Sequence, residues 1–255
     1  MSDRSLTNNP RKESEHTNEV SQAFGAIASF YDSWYQSPVG GYVWAVETEA
    51  IQALLPEPQG GVALEVGVGT GMIATIVQDP SLQFVGVDVA WQMLAIAYQK
   101  LQKTENLHLV RSDGEHLPFR RKCFDLALAM TLLEFVPDPD QVLSEIHQCL
   151  QPVGYLLLGI LSSTNLWAIE RRIRSFVQPD VFRFARFPSP WQVIRLLNRN
   201  GFSQVQYRGS VYAPTFTPTR WLPRFASLEP TLGTRWLSRA LGAFIVFSAR
   251  RSMLK

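Results

Sequence analysis

The string Ala63-Leu64-Glu65-Val66-Gly67-Val68-Gly69-Thr70-Gly71-Met72 places an acidic residue, then three glycines at alternate positions, at the end of an apolar run. Glycine lets a backbone turn sharply and come close to a ligand where a strand passes into a helix, so the stretch reads as the cradle of a bound small molecule. A dinucleotide is one such ligand, held by its pyrophosphate at the helix N-terminus. That fingerprint needs its third glycine one position later, where Met72 stands. Glu65 beside the loop would also repel a pyrophosphate, whereas it can orient an ammonium group. The loop favours a ligand without phosphates.

Further strings follow in order. Asp88 closes the run Phe84-Val85-Gly86-Val87, 21 positions after Gly67. Then come Ser112-Asp113-Gly114-Glu115-His116-Leu117-Pro118-Phe119, Phe124-Asp125-Leu126-Ala127-Leu128-Ala129-Met130 and Leu150-Gln151-Pro152-Val153-Gly154. Together with the glycine loop they resemble the motifs of class I S-adenosylmethionine-dependent methyltransferases, in the small-molecule subgroup of the ubiquinone and menaquinone biosynthesis type. The resemblance covers residues 20 to 160. It implies S-adenosyl-L-methionine as cofactor, with Glu65, Gly67, Gly69 and Gly71 around its methionine part. Asp88 would accept both ribose hydroxyls, a bidentate role that suits a carboxylate, with Met93 alongside; the alternative role for Asp88 is to cap the helix opening at Ala90. Asp113 would accept from the adenine amino group, with Gly114 and Glu115 backing the ring, while Ala129 and Met130 would lie beside the methionine portion through their backbone. Val153 replaces the first glycine of the family's Leu-x-Pro-Gly-Gly turn, a departure that touches turn geometry rather than the cofactor. Phe30-Tyr31-Asp32 and Ser37-Pro38-Val39-Gly40-Gly41-Tyr42 are similar to lid helices of small-molecule members. Tyr31 is then a candidate for closing over the cofactor, with simple packing of the aromatic cluster between the helices as the other reading.

To hold these groups together the chain needs short apolar strands alternating with amphipathic helices. Strands are expected at 62–67, 83–88, 107–112, 124–130, 153–161, 203–210 and 243–248. Helices are expected at 70–78, 90–103, 138–150 and 189–200, the third opening at Asp138-Pro139-Asp140 and the last stopping at Gly201. Two more helices, broken at Ser37-Pro38 and Gly40-Gly41, fill residues 20 to 55. The fold class is α/β: a Rossmann-like, seven-stranded, mostly parallel sheet with an antiparallel last strand, helices on both faces and an N-terminal helical lid. Residues 1–20 are polar and expected as a disordered leader, and 21–255 as one domain with insertions at about 162–188 and 211–240 on the substrate side.

The composition, 46% hydrophobic and 18% charged, is that of an ordinary globular protein. The longest apolar stretch, Val153 to Leu161, is too short to span a bilayer, and a cytoplasmic location is the expectation. Cys123 and Cys149 have neither metal-ligand spacing nor a disulfide framework and are expected as buried free thiols; no metal is expected. Residues 1–150 carry 9 basic and 19 acidic side chains, residues 151–255 carry 15 and 3. That basic C-terminal part, interleaved with tryptophans, suits an anionic acceptor or peripheral contact with an anionic membrane; a solvated basic face is the plainer account.

Methyl transfer from a sulfonium starts from an activated donor, so alignment and desolvation can suffice and a base is optional. Among the histidines, His16 falls in the leader, His108 opens a strand, His116 sits in the adenine segment and His147 reads as a surface or packing residue of its helix. Glu134 either faces the substrate side or is a solvated helix-start carboxylate. No catalytic residue is assigned. The expected acceptor is a small hydrophobic molecule, anionic or lipid-like in one version, and no nucleic acid is expected as partner. The oligomeric state is left unassigned. A nucleic-acid methyltransferase lacks support because Ala129-Met130-Thr131-Leu132 stands where amino-methylating enzymes carry an Asn/Asp-Pro-Pro-aromatic string. A non-catalytic binding protein of the same fold and an NAD-dependent oxidoreductase are the remaining rivals.

Overall fold

Along strand after strand, successive side chains enter two different cores, and this accounts for the nearly unbroken apolar runs of the sequence. The computed structural model describes residues 10–56, 60–77, 81–102, 104, 106–177 and 181–252. Its seven strands are β1 (Gly61–Val66), β2 (Leu82–Asp88), β3 (Leu107–Arg111), β4 (Phe124–Met130), β5 (Leu150–Leu161), β6 (Phe202–Ser210) and β7 (Phe244–Arg251). They form one sheet in the order β3-β2-β1-β4-β5-β7-β6. The first five are parallel, and β7 runs antiparallel between β5 and β6. On β4, Leu126, Leu128 and Met130 join one core while Ala127 and Ala129 join the other. On β7, Phe244 and Val246 alternate with Ile245 and Phe247 in the same way.

Helices α1 (Pro10–Tyr31), α2 (Pro38–Leu54), α3 (Trp91–Leu101), α4 (Pro139–Cys149), α5 (Leu166–Val177), α6 (Pro190–Arg199) and α7 (Leu222–Thr234) cover the sheet. The first core is closed by Val43, Val46 and Ile51 of α2 with Leu94 and Leu101 of α3. The second is closed by Val142, Leu143 and Ile146 of α4 with Val193 and Leu197 of α6. The expected helix starts are in place: the Asp138 side chain accepts from the amides of Asp140 and Gln141, with Pro139 in the first turn. Gly201 beyond α6 has φ +79°, the left-handed conformation that ends a helix.

Several expectations need correction. The leader gives way to α1 at Pro10, so the lid begins some ten residues earlier than the polar composition suggests; residues 1–9 of the leader lie outside the described residues. The helix expected at 70–78 shrinks to a single 3-10 turn, Ile73–Thr75. Thr70, Ile73, Thr75, Ile76 and Val77 crowd β-branched side chains into that stretch, and Gly69 and Gly71 hold positive φ of 52° and 77°, so no helix can start across them. Cys149 is buried, but Cys123 is only half-buried; both are free.

Val153 departs from glycine at a cost. Its φ is +59°, which a β-branched residue tolerates poorly, and its side chain is 48% exposed, so little packing offsets the strain. Val153→Gly is expected to stabilise the protein by about 1 kcal/mol, raising the melting temperature by roughly 2–4 °C. A thermal melt that moves downward instead would show that the Val153 side chain contributes more than its backbone costs.

Candidate functional site

The glycine loop leaves β1 and turns back on itself because the amides of Gly67 and Val68 both donate to the carbonyl of Val87, at 2.8 and 2.9 Å. This ties the loop to the end of β2, beside Asp88. One Asp88 oxygen accepts from Gly69 N at 2.9 Å and the other from Ala90 N at 2.8 Å. The carboxylate thus braces the loop and the entry to α3 together, and each oxygen keeps a lone pair for a ligand. Burial raises its pKa, against the pull of those amides. A Cβ built on Gly69 would meet nothing within 4 Å, so the backbone there faces open space.

That space is a cleft lined by Gly67, Gly69, Asp88, Met93, Asp113 and Gly114. A second cleft adjoins it at Gly67, Gly69 and Met130 and reaches Glu65. Glu65 is 1% exposed and its Oε2 has no hydrogen-bond partner. Burial, then the nearby Asp88 charge, holds its pKa well above the usual carboxylate range. Nine of the twelve residues expected around the cofactor therefore line two adjoining clefts. The other three stand back from them. Gly71 packs under α3, where a Cβ would come to 2.6 Å of Leu101 Cδ1. Glu115 turns away to accept from Asp138 N at 2.7 Å and so fixes the start of α4. Ala129 points into the opposite core, leaving only its backbone on the cleft side of β4.

Helix α1 lies over the first cleft with Thr17, Val20, Ser21 and Phe24, packed on α3 through Ala28, Ala90 and Met93. Asp32, just after it, accepts from Thr70 Oγ1 at 2.6 Å and pairs with Lys100 Nζ at 2.6 Å. His16 belongs to this lid rather than to a leader, with its Nε2 3.1 Å from the carbonyl of Phe135. Tyr31 packs within the aromatic cluster and also faces the clefts. It lies edge-on to Tyr35, with ring centroids 6.3 Å apart, and it lines both clefts. It also lines a third space, an apolar cavity of about 300 Å³ bordered on the other side by Leu161, Trp167, Arg171 and Phe182. Thr131 borders all three. Its φ of +49°, unusual for a β-branched residue, is fixed by its amide donating to Gly159 O at 2.8 Å.

Residues 64–158 match the family described as a methyltransferase domain. Over that stretch the chain is similar to class I S-adenosylmethionine-dependent methyltransferases, and its seven-stranded sheet is that of their fold. An uncharacterized protein of Mycobacterium tuberculosis is 30% identical over 195 residues, 76% of this chain and 65% of that protein's length. A malonyl-[acyl-carrier protein] O-methyltransferase of Herminiimonas arsenicoxydans is 27% identical over 91% of this chain and 80% of its own. Among solved structures, a SAM-dependent methyltransferase of Thermotoga maritima superposes with a TM-score of 0.69 at 23% identity, covering 91% of this chain and all of that chain. The dinucleotide-dependent oxidoreductase reading is set aside by the same family match.

The chain's own residues suit S-adenosylmethionine on two counts: the unpartnered Glu65 oxygen fits an ammonium, and the open face of Gly69 fits close approach of a ligand. Sequence reasoning overlooked Thr131, Tyr35 and Glu47 and placed Arg171 only within the basic C-terminal part that suits an anionic acceptor or membrane; the four border the clefts or the cavity from four separate elements or loops. No local motif announces them; Glu47, one of two glutamates on the mostly apolar α2, is the faintest of signals. Glu134 is 0% exposed, with one oxygen accepting from Leu161 N, which overturns its reading as a solvated carboxylate.

Burial pushes the Glu134 carboxyl up to about 7 and the Glu47 carboxyl up to about 8. The folded chain therefore keeps protons that the unfolded chain releases near the ordinary 4.5. The stabilisation is complete below that value and is lost as pH rises through 7 and 8. The melting temperature is expected to fall between pH 5 and 8, and Glu134→Gln to reduce the slope below pH 7 by up to ~1.4 kcal/mol per pH unit. An unchanged slope in Glu134→Gln would mean that Glu134 is ionised throughout.

Proposed function

We propose that the protein transfers the methyl group of S-adenosylmethionine to a small hydrophobic acceptor held in the cavity beside Tyr31. The observation that supports this reading most is the shared wall. Tyr31 and Thr131 border both the clefts around Asp88 and Glu65 and the apolar cavity, so two ligands can meet there without crossing open solvent. Asp88 and Asp113 would hold the nucleoside of the cofactor, and Glu65 its ammonium, whose positive charge would oppose the rise that burial causes in that carboxyl's pKa. When bound, the cofactor supplies a methyl group already activated by a sulfonium.

The chain's own contribution is then alignment and exclusion of water. Phe24, Tyr31 and Phe135 line both the first cleft and the cavity, and the ties from Asp32 to Thr70 and Lys100 keep the lid down. Alignment alone can supply ~7–11 kcal/mol of barrier lowering in the best cases. No base is needed for an acceptor that is nucleophilic without losing a proton. Quinone-type and lipid-like acceptors are the first to try.

Calorimetric titration with S-adenosylmethionine, S-adenosylhomocysteine and NAD tests the cofactor half of the proposal. Micromolar binding of the first two and none of the third is expected. Folded protein that binds neither sulfur compound overturns the proposal. Release of S-adenosylhomocysteine in the presence of an acceptor panel then separates an enzyme from a binding protein of the same fold.

A further inference from the structure

The cavity beside Tyr31 is apolar on most sides, with Phe24, Ile27, Phe135, Trp167 and Phe182 among its walls, yet Arg171 of α5 projects a guanidinium into it. This cation is lodged against aromatic faces, 5.6 Å from the Trp167 ring centroid, 5.7 Å from Phe182 and 5.9 Å from Phe187. Its Nη1 is buried and has no hydrogen-bond partner, and among the described residues it forms no ion pair. An unpaired donor on a buried charge is costly, so the site is incomplete as it stands.

The nearby carboxyl groups do not complete it. Glu47 and Glu134 influence Arg171 from a distance, and burial raises both of their pKa values, to about 8 and about 7, so that near neutrality they hold protons for part or most of the time. Glu170 is exposed, where solvent and salt screen its charge. Burial also pulls the Arg171 pKa down from its ordinary value, a shift that the charge of an incoming anion would oppose. The guanidinium presents a planar fork that matches a carboxylate or phosphate oxygen pair.

We propose that this cavity binds an amphiphile with a carboxylate or phosphate head and an alkyl or aryl body, the head paired with Arg171 and the body against the aromatic walls. As a statement about the methyl acceptor it rests on the function proposed above; as a statement about binding it does not. Acceptors without an anionic group would leave Arg171 unpaired in the filled cavity, and specificity against them follows from that penalty.

The test measures binding of decanoate, decyl phosphate, decanol and decyltrimethylammonium to the full chain by calorimetry, with and without saturating S-adenosylhomocysteine. One or both anionic probes are expected to bind about tenfold or more tightly than decanol, and the cationic probe no better than decanol. Which anion wins distinguishes a carboxylate from a phosphate head. Arg171→Met is expected to equalise the anionic probes and decanol while leaving affinity for S-adenosylhomocysteine unchanged. Should that variant not fold, the four-probe series on the wild type decides by itself. Equal affinity for decanol and the anions, or no binding of any probe, overturns the proposal. Failure of S-adenosylhomocysteine to bind while decanoate still does would instead remove the proposed function and leave the anion site standing.

Discussion

Asp88→Ala is expected to weaken binding of S-adenosylmethionine by a hundredfold or more. Each Asp88 oxygen already accepts one backbone amide, from Gly69 and from Ala90, and each has capacity for a ribose hydroxyl. Two charge-assisted hydrogen bonds at ~1.5–3 kcal/mol each give a loss of about 3–6 kcal/mol, or roughly two to four orders of magnitude in Kd. Part of the effect is indirect, because the alanine also frees the glycine loop from α3. Asp88→Asn separates the two contributions: it keeps an acceptor for one amide and should fall between wild type and alanine. Because burial raises the pKa of Asp88, affinity should also decline on acidification at a higher pH than an ordinary aspartate would give. Undiminished affinity in Asp88→Ala would assign the ribose to another residue.

Glu229→Ala is expected to be the most destabilising single change in the substrate-side insertion. This α7 carboxylate is 3% exposed and gathers three donors from distant parts of the chain. It accepts from Val211 N at 2.9 Å, from Tyr212 N at 2.8 Å and from the hydroxyl of Tyr42 in α2. Removing it strands those donors in the interior at ~1–3 kcal/mol each, about 3–9 kcal/mol in all, with a fall in melting temperature of about 10 °C or more. Val211 makes the site's dependence concrete: it lines the apolar cavity and holds φ +63°, a strained position that the Glu229 contact to its amide helps to maintain. Thermal melts of Glu229→Ala and Glu229→Gln check this, the glutamine retaining one acceptor oxygen and part of the stability. A melting temperature equal to wild type would show that water replaces the carboxylate.

The cofactor side of the site was legible because its residues act where they stand in sequence. Gly67 and Gly69 at the end of β1, Asp88 at the end of β2, Asp113 just after β3 and Met130 at the end of β4 each follow a short apolar strand, and parallel pairing brings strand ends to one edge. Where local reading went astray, a local cause overrode the pattern. The apolar spacing of residues 70–78 suggested a helix, but β-branched crowding and left-handed glycines left one 3-10 turn. Polar composition suggested a disordered leader up to residue 20, but α1 packs its few apolar side chains, Val20 and Phe24 among them, over the cleft.

By itself, the sequence determined the strand order's raw material, the glycine loop, the carboxylates beside it and hence the class of cofactor, since each of these is a short string whose chemistry depends on its immediate neighbours. Only the tertiary structure forms the apolar cavity proposed for the acceptor. Tyr31, Glu47, Thr131, Arg171 and Val211 come from five places spread over 180 residues of chain and share a cavity only once α1, α2 and α5 close on the sheet. The same packing that brings them together removes water from them, and so leaves a carboxylate oxygen at Glu65 and a guanidinium nitrogen at Arg171 without partners, a property of the fold that no spacing of residues encodes.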